Sequence, residues 1–240
     1  MPPLWASALM VFGGVISNLT AYVMEGRVEA NILTKLATRR SLGFHSLPTR
    51  RLSLPDGILP KGEHRRLRNF FYQDRDAPKW SAFWYQADRR DRGKYQKSLY
   101  GAAILELAPV GNADFLVRRV RRHFPRHGIQ PASFLTTPVQ TYTRHGRSWD
   151  IFGDPGGHAA ALTVLDALGE GLQQHVDAIF SNREQLSVVI ANRRRMFSIS
   201  PWQLWPFSAD IALGGVHDDL DLCQHYATAL SAAHGEAIPD

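Results

Sequence analysis

The sequence predicts a mainly α protein with a single N-terminal transmembrane helix, an extended Pro-rich connector and a C-terminal helical extension. Three observations predict it. Residues 1–24, "MPPLWASALMVFGGVISNLTAYVM", carry no charged side chain. Pro48, Pro55 and Pro60 are interleaved with Gly43, Gly57 and Gly62 in a later stretch. Beyond residue 155 apolar side chains recur every three or four positions, and no alternating strand series stands out. The chain divides on this reading into an anchor over 1–30, an extended and helical tail over 31–100, and a mostly helical extension over 101–240.

Roughly twenty apolar residues rising about 1.5 Å each span a bilayer core of about 30 Å. Trp5 and Tyr22 lie near the two ends, where amphipathic rings favour the headgroup region. Gly13, Gly14, Ser17 and Asn18 make the middle small and polar, as in a helix packed against other membrane helices. Gly13, Gly14, Asn18 and Tyr22 are the expected membrane-helix contacts. A signal peptide fits less well, because no basic segment precedes the apolar run and no A-x-A site closes it. A buried core helix is the other alternative. Arg27, Lys35, Arg39 and Arg40 flank the run on its C-terminal side, which puts the rest of the chain on the cytoplasmic or matrix side.

Residues 25–40 have helical composition and extend the anchor. The proline and glycine breakers that follow exclude a long helix or a central strand, so the segment reads as an extended connector. Residues 63–76 read as a helix ending before Pro78. In "KWSAFWYQADRRDRGKY", residues 79–95, Trp80, Phe83, Trp84 and Ala87 fall at i, i+3, i+4 and i+7, one face of a helix. Asp88 and Arg92 have the spacing of a helical ion pair.

From 115 to 149 no acidic residue occurs, while arginine stands at 118, 119, 121, 122, 126, 144 and 147. "DFLVRRVRRHF" puts Leu116, Val117, Val120 and Phe124 on one side of a helix and arginines on the other. Such a helix faces phosphates, an acidic partner or only solvent. Arg118, Arg119, Arg121 and Arg122 are the candidates for contact with lipid or another anion. After the turn "GDPGGH", Leu162, Leu165, Leu168, Leu172, Val176 and Ile179 outline a helix. Ser181 and Glu184 have capping-box spacing and open a second one through Leu186, Val189, Ile190 and Met196. A final helix is expected from Asp218 to His234.

The chain is otherwise ordinary for a folded protein, with 44% hydrophobic and 21% charged residues. Its net charge is +6 and its pI near 9.7, and nearly all the basicity is arginine. Arginine suits bidentate pairing with carboxylate or phosphate, although codon bias produces the same excess. The single cysteine, Cys223, excludes an internal disulfide and a cysteine-rich zinc site. His123 and His127 are separated by Pro125, and Cys223 and His225 point apart on a helix. "HDDLDL" lacks calcium-loop spacing, and "GDPGGH" lacks the Lys and Ser/Thr of a P-loop. No catalytic residue, metal site or cofactor is expected.

"FGGVISNLTAYVMEGR" resembles the membrane helix of the MWFE-type accessory subunits of mitochondrial respiratory complex I, through Gly13, Gly14, Asn18, Tyr22, Gly26 and Arg27. That family ends in a short tail with a Trp followed by a charged run. Here Trp80 or Trp84 precedes Asp88, Arg89, Arg90, Asp91 and Arg92. The resemblance covers residues 1–97. It implies a non-catalytic accessory subunit, a single-pass protein of the mitochondrial inner membrane and part of the respiratory electron-transport chain. Trp80, Phe83, Trp84 and Asp88 to Arg92 would contact other subunits, and membrane lipid, including anionic lipid, would be the further partner. The rival reading is a membrane-tethered basic module that binds anionic lipid or nucleic acid through residues 118–147, with nucleic acid the less favoured partner.

Overall fold

The structure, a computed structural model, describes residues 26–49, 59, 64–91, 94–109, 113–120, 140–190, 196–199 and 209–236. After helix α1 (26–39) come strands β1 (Gly43–His45), β2 (His64–Gln73), β3 (Trp80–Asp91), β4 (Lys94–Leu107) and β5 (Phe115–Arg119). Strands β6 (Gln140–Arg144) and β7 (Arg147–Gly153) precede helix α2 (Pro155–Gln173). Strands β8 (Val176–Ser181) and β9 (Leu186–Ile190) lead to helix α3 (Ala209–Glu236). The nine strands form one antiparallel sheet in the order β1-β2-β3-β4-β9-β8-β5-β7-β6. The expected mainly α fold is therefore corrected to a sheet with helices packed on it. The boundary expected at residue 100 falls inside β4.

Both faces of this sheet are apolar, and that hid it. Along β3, Trp80, Ala82 and Trp84 join one buried cluster, and Phe83, Tyr85 and Ala87 join the other. A strand buried on both faces loses the apolar–polar alternation by which a strand is recognised. Its aromatic run then also satisfies helical spacing. The first face carries the three helices, through Leu33 and Leu36 of α1, Val164 and Leu165 of α2, and Val216 and Tyr226 of α3. The second face gathers Ile104, Leu116, Phe152, Phe180 and Val189, with Leu59 packed on them. Each large side chain so buried contributes about 1.5–3 kcal/mol.

Residues 64–73, expected as a helix, form β2. The expected basic helix over 115–124 is β5 where it is described, and Arg121 and Arg122 lie outside the described residues. The expected helix beginning at Ser181 is the β8–β9 hairpin. There the Asn182 carboxamide oxygen accepts from the backbone N–H groups of Glu184 (2.9 Å) and Gln185 (2.8 Å). An Asx turn has taken the place of the capping box.

Helices are found where helices were expected over 25–40, after "GDPGGH" and around 218–234, although α2 stops at Gln173 and Val176 and Ile179 are strand. Asp154 caps α2 by accepting from Gly157 N at 2.6 Å, with Pro155 in the first turn. Gly169, at φ 60 and ψ 178, breaks the same helix one turn before its end. His145 and Gly146, at φ 51 and 69, make the two-residue turn of the β6–β7 hairpin. Gly101 is required by packing: a Cβ there would lie 2.1 Å from Trp84 Cζ2, whose ring covers the glycine.

A buried polar tie holds α1 and α3 to the sheet. Where β2 bulges between Arg68 and Phe71, Asn69 adopts φ 52 and is 4% exposed. Its Nδ2 donates to the Phe197 carbonyl at 2.6 Å. Phe197, itself at φ 54, donates its N–H to Asp219 of α3 at 2.9 Å. Glu29 of α1 accepts from Ser198 Oγ at 3.0 Å and Ile199 N at 3.2 Å. On the surface Arg40, just past the end of α1, reaches Asp221 of α3 at 2.6 Å and donates to His217 Nδ1 at 2.6 Å.

Among the described residues no helix is long and apolar enough to cross a membrane. The expected anchor, with Gly13, Gly14, Asn18 and Tyr22, lies outside the described residues. The single-pass inner-membrane placement is corrected to this extent: the part of the chain that is described is a sheet domain with no such helix.

Two stability measurements check this account. Asn69→Ala is expected to cost ~2–4 kcal/mol, because it strips a buried carbonyl of its donor and puts alanine at positive φ. Asn69→Gly is expected to cost about 1 kcal/mol less, since glycine tolerates that backbone; denaturant midpoints at constant slope read both. The Arg40 hydrogen bond holds the Asp221 carboxyl below its ordinary value, against a smaller opposing effect of burial. A carboxyl depressed in the folded state stabilises above its unfolded pKa, and the contribution is lost as pH falls through the lower folded value. Asp221 is 56% exposed, so the pair contributes at most about 1 kcal/mol. Asp221→Asn should cost that amount at pH 7 and nothing once the carboxyl is protonated, as read by urea midpoints from pH 6 down to 2.

Candidate functional site

The aromatic residues expected to meet a partner lie in the chain's own core. Trp80, Phe83 and Trp84 are 4%, 1% and 5% exposed. Trp80 Nε1 also donates to Gln224 of α3 at 2.8 Å. Residues Asp88 to Asp91 continue β3, so the helix that would have paired Asp88 with Arg92 is not formed; Arg92 lies outside the described residues. The accessory-subunit reading in respiratory complex I is corrected on this ground, together with its membrane and respiratory-chain setting. Of the two stretches that carried the resemblance, residues 80–91 form strand β3 of the sheet, and residues 12–25 lie outside the described residues.

The acidic and thiol groups singled out in the sequence have structural roles. Of "HDDLDL", Asp219 holds the Phe197 N–H, and His217 and Asp221 hold Arg40. Cys223 is fully buried; burial pushes its thiol up, and the Asp219 charge acts in the same direction. A thiol so placed is a poor nucleophile. Among the described residues no group of His, Cys, Asp or Glu could hold a metal ion. On the second sheet face Glu106 is 4% exposed and accepts from Ser81 Oγ at 2.9 Å, its partner in the β3–β4 register.

Arg118 and Arg119 separate, because successive residues of a strand point to opposite faces. Arg118 lies on the second face, pairs with Asp150 at 2.9 Å and sits 5.4 Å over the Phe152 ring. Arg119 lies on the helix-covered face, where its Nη1 donates to the Gln174 carbonyl at 3.0 Å. That bond brings it beside two residues the helical reading did not single out. Arg147 stands two positions before Trp149, the register partner of Arg119, and so shares its face. His175 follows Gln174 directly, and its imidazole is held below its ordinary pKa by burial and then by the charges of Arg147 and Arg119. Only the count of arginines in an acid-free window hinted at this cluster. Its third member comes from a segment that read as helix.

A different surface lies at the opposite end of the sheet. The β1–β2 register sets Gly43 against Tyr72 and His45 against Phe70. The Tyr72 ring covers Gly43 so closely that a Cβ would meet its Cζ at 2.0 Å. His45 stacks on Tyr72 at 5.7 Å and on Phe70 at 6.3 Å, and Phe70 leads inward to Phe83 at 6.0 Å. His45 is exposed, Phe70 and Tyr72 are half-buried, and the nearby Leu47 is 72% exposed. Among the described residues no strand pairs with the outer edge of β1.

No protein-family model matches the chain, and no curated protein does. Among solved structures the chain is similar to the mycobacterial trehalose monomycolate transport factor A, TtfA, at 8% identity and a TM-score of 0.46, over 89% of this chain and 97% of that one. A likeness of that size carries no argument about this chain.

The core position of the tryptophans is open to direct measurement. Trp84→Ala is expected to lower stability by about 3–5 kcal/mol in the isolated protein, as for other large rings removed from a core. A ring reserved for a partner would leave the denaturation midpoint of the isolated protein unchanged.

Proposed function

We infer that the chain is a non-enzymatic binding domain that takes an extended polypeptide segment along the β1 edge of its sheet. One observation carries the reading: a stack of exposed and half-buried rings, His45, Tyr72 and Phe70, stands beside an end strand. An end strand offers main-chain donors and acceptors to an added strand, and adjacent rings supply the apolar contact that selects its side chains. Aromatic side chains gather large contact area at little rotamer cost, which is why they concentrate in interfaces. Leu47, left largely in water, adds apolar surface beside the stack. The non-enzymatic part rests on the use already made of the chain's acids and thiol, which hold helices to the sheet or lie buried.

Selection of displayed twelve-residue peptides on the purified protein tests this. Enriched peptides are expected to alternate apolar and polar residues. Their affinity should fall at least tenfold, about 1.4 kcal/mol, in the double variant His45→Ala and Leu47→Asp, whose sites are both exposed. Peptides that bind this variant as well as the parent protein would refute the reading, as would failure of any peptide to enrich.

A further inference from the structure

Arg147 poses a problem that the fold does not solve. Its Nη1 is buried and meets no acceptor among the described residues. A buried guanidinium N–H without an acceptor costs stability, and a neighbouring like charge adds to the cost. Arg119 is such a neighbour, and the half-buried His175 is the third basic group beside it. Of the acids on the surrounding elements, Asp166 of α2 pairs with Arg144 and Glu170 of α2 lies 3.8 Å from His145. Asp177 of β8 also has an interaction of its own.

We propose that Arg119, Arg147 and His175 bind a phosphate group, free or as a small monoester, at the C-terminal end of α2. Two strands and a helix end position the site. Arg119 comes from β5 and Arg147 from β7, on the same face by register. His175 enters from the loop between α2 and β8, and the bond from Arg119 to the Gln174 carbonyl holds that loop in place. Two guanidinium groups with an imidazole between elements match a dianion with three acceptor oxygens better than a carboxylate.

A helix C-terminus ordinarily repels an anion, because its carbonyls carry partial negative charge. Here that effect is curtailed. Gly169 interrupts α2, so the dipole of the long segment ends a turn away and only residues 170–173 continue toward the site. Arg119 further offsets the carbonyl of Gln174. The imidazole adjusts to its ligand: burial and then the two neighbouring guanidinium groups hold its pKa below the ordinary value, and a bound dianion favours its protonation. Binding at a pH where the free ligand is already the dianion therefore takes up a proton.

Calorimetric titration of the whole protein with inorganic phosphate, and separately with glycerol phosphate, tests the proposal. Saturable binding of either compound is expected. Saturation by phosphate itself identifies the free anion as sufficient, and saturation by the monoester alone identifies the esterified group. Affinity should fall at least tenfold in Arg147→Gln and in Arg119→Gln, and stay unchanged in Arg183→Gln, an exposed arginine of the β8–β9 turn. Titration in two buffers of different ionisation enthalpy should show proton uptake, which His175→Gln removes. If Arg147→Gln fails to fold, the His175 ring resonances of the unaltered protein serve instead, and they should shift saturably with phosphate. No saturable binding, binding indifferent to Arg147 and Arg119, or an equal response to chloride at matched ionic strength would overturn the proposal.

Discussion

Strands β3, β4, β5, β8 and β9 present apolar side chains to both faces of one sheet, and such a sheet has to be covered twice. That constraint organises the rest of the structure. On one face three helices supply the cover, and their apolar stripes meet Trp80, Trp84, Trp149 and Val188. On the other, rings and aliphatic side chains pack around Phe83, Tyr85 and Phe180, with Leu59 brought onto them. The long β3–β4 hairpin belongs to both layers. Its inner half pairs with β9 through Ala103 to Leu107, and its outer half continues past that strand to the Asp91–Lys94 pair.

The helices need directional fixing as well as apolar contact, because hydrophobic packing alone sets no unique register. Two left-handed residues, Asn69 in the β2 bulge and Phe197 ahead of α3, face one another across a single hydrogen bond. Through them Glu29 of α1 and Asp219 of α3 are tied to the same point of the sheet. Positive φ at an asparagine costs little, since its short polar side chain can bond locally, whereas at phenylalanine it must be held by its surroundings. Here both backbone groups of Phe197 are bonded, N–H to Asp219 and C=O to Asn69, and its ring is fully buried. Glu29 and Asp219 are thus part of how the layers are joined.

The two surfaces with binding chemistry lie at opposite ends of the strand order, the ring stack at β1–β2 and the basic cluster at β5–β7. They differ in what they can recognise. The first combines apolar rings with main-chain groups, and the second combines fixed positive charge with a buried unmet donor. A ligand at one makes no demand on the other, so the two can be altered independently.

Helices α1, α2 and α3 were legible in the sequence because each keeps one face toward water, and the 3.6-residue period survives in the contrast between its faces. The turn into α2 was legible for the same local reason: Asp154 and Pro155 act on the chain immediately around them. The strands were not, because Trp80 to Ala87 is buried on both faces and its side chains carry no contrast for a period to show. Ser181 to Glu184 misled in a different way, since capping-box spacing also fits a turn built on Asn182. Arg119, Arg147 and His175 are far apart in the chain and meet only because β5, β7 and the end of α2 converge. Local chemistry therefore determined the helices and turns from the sequence itself, while the sheet, its double burial and the basic cluster were decided by pairing between distant segments, which no local pattern encodes.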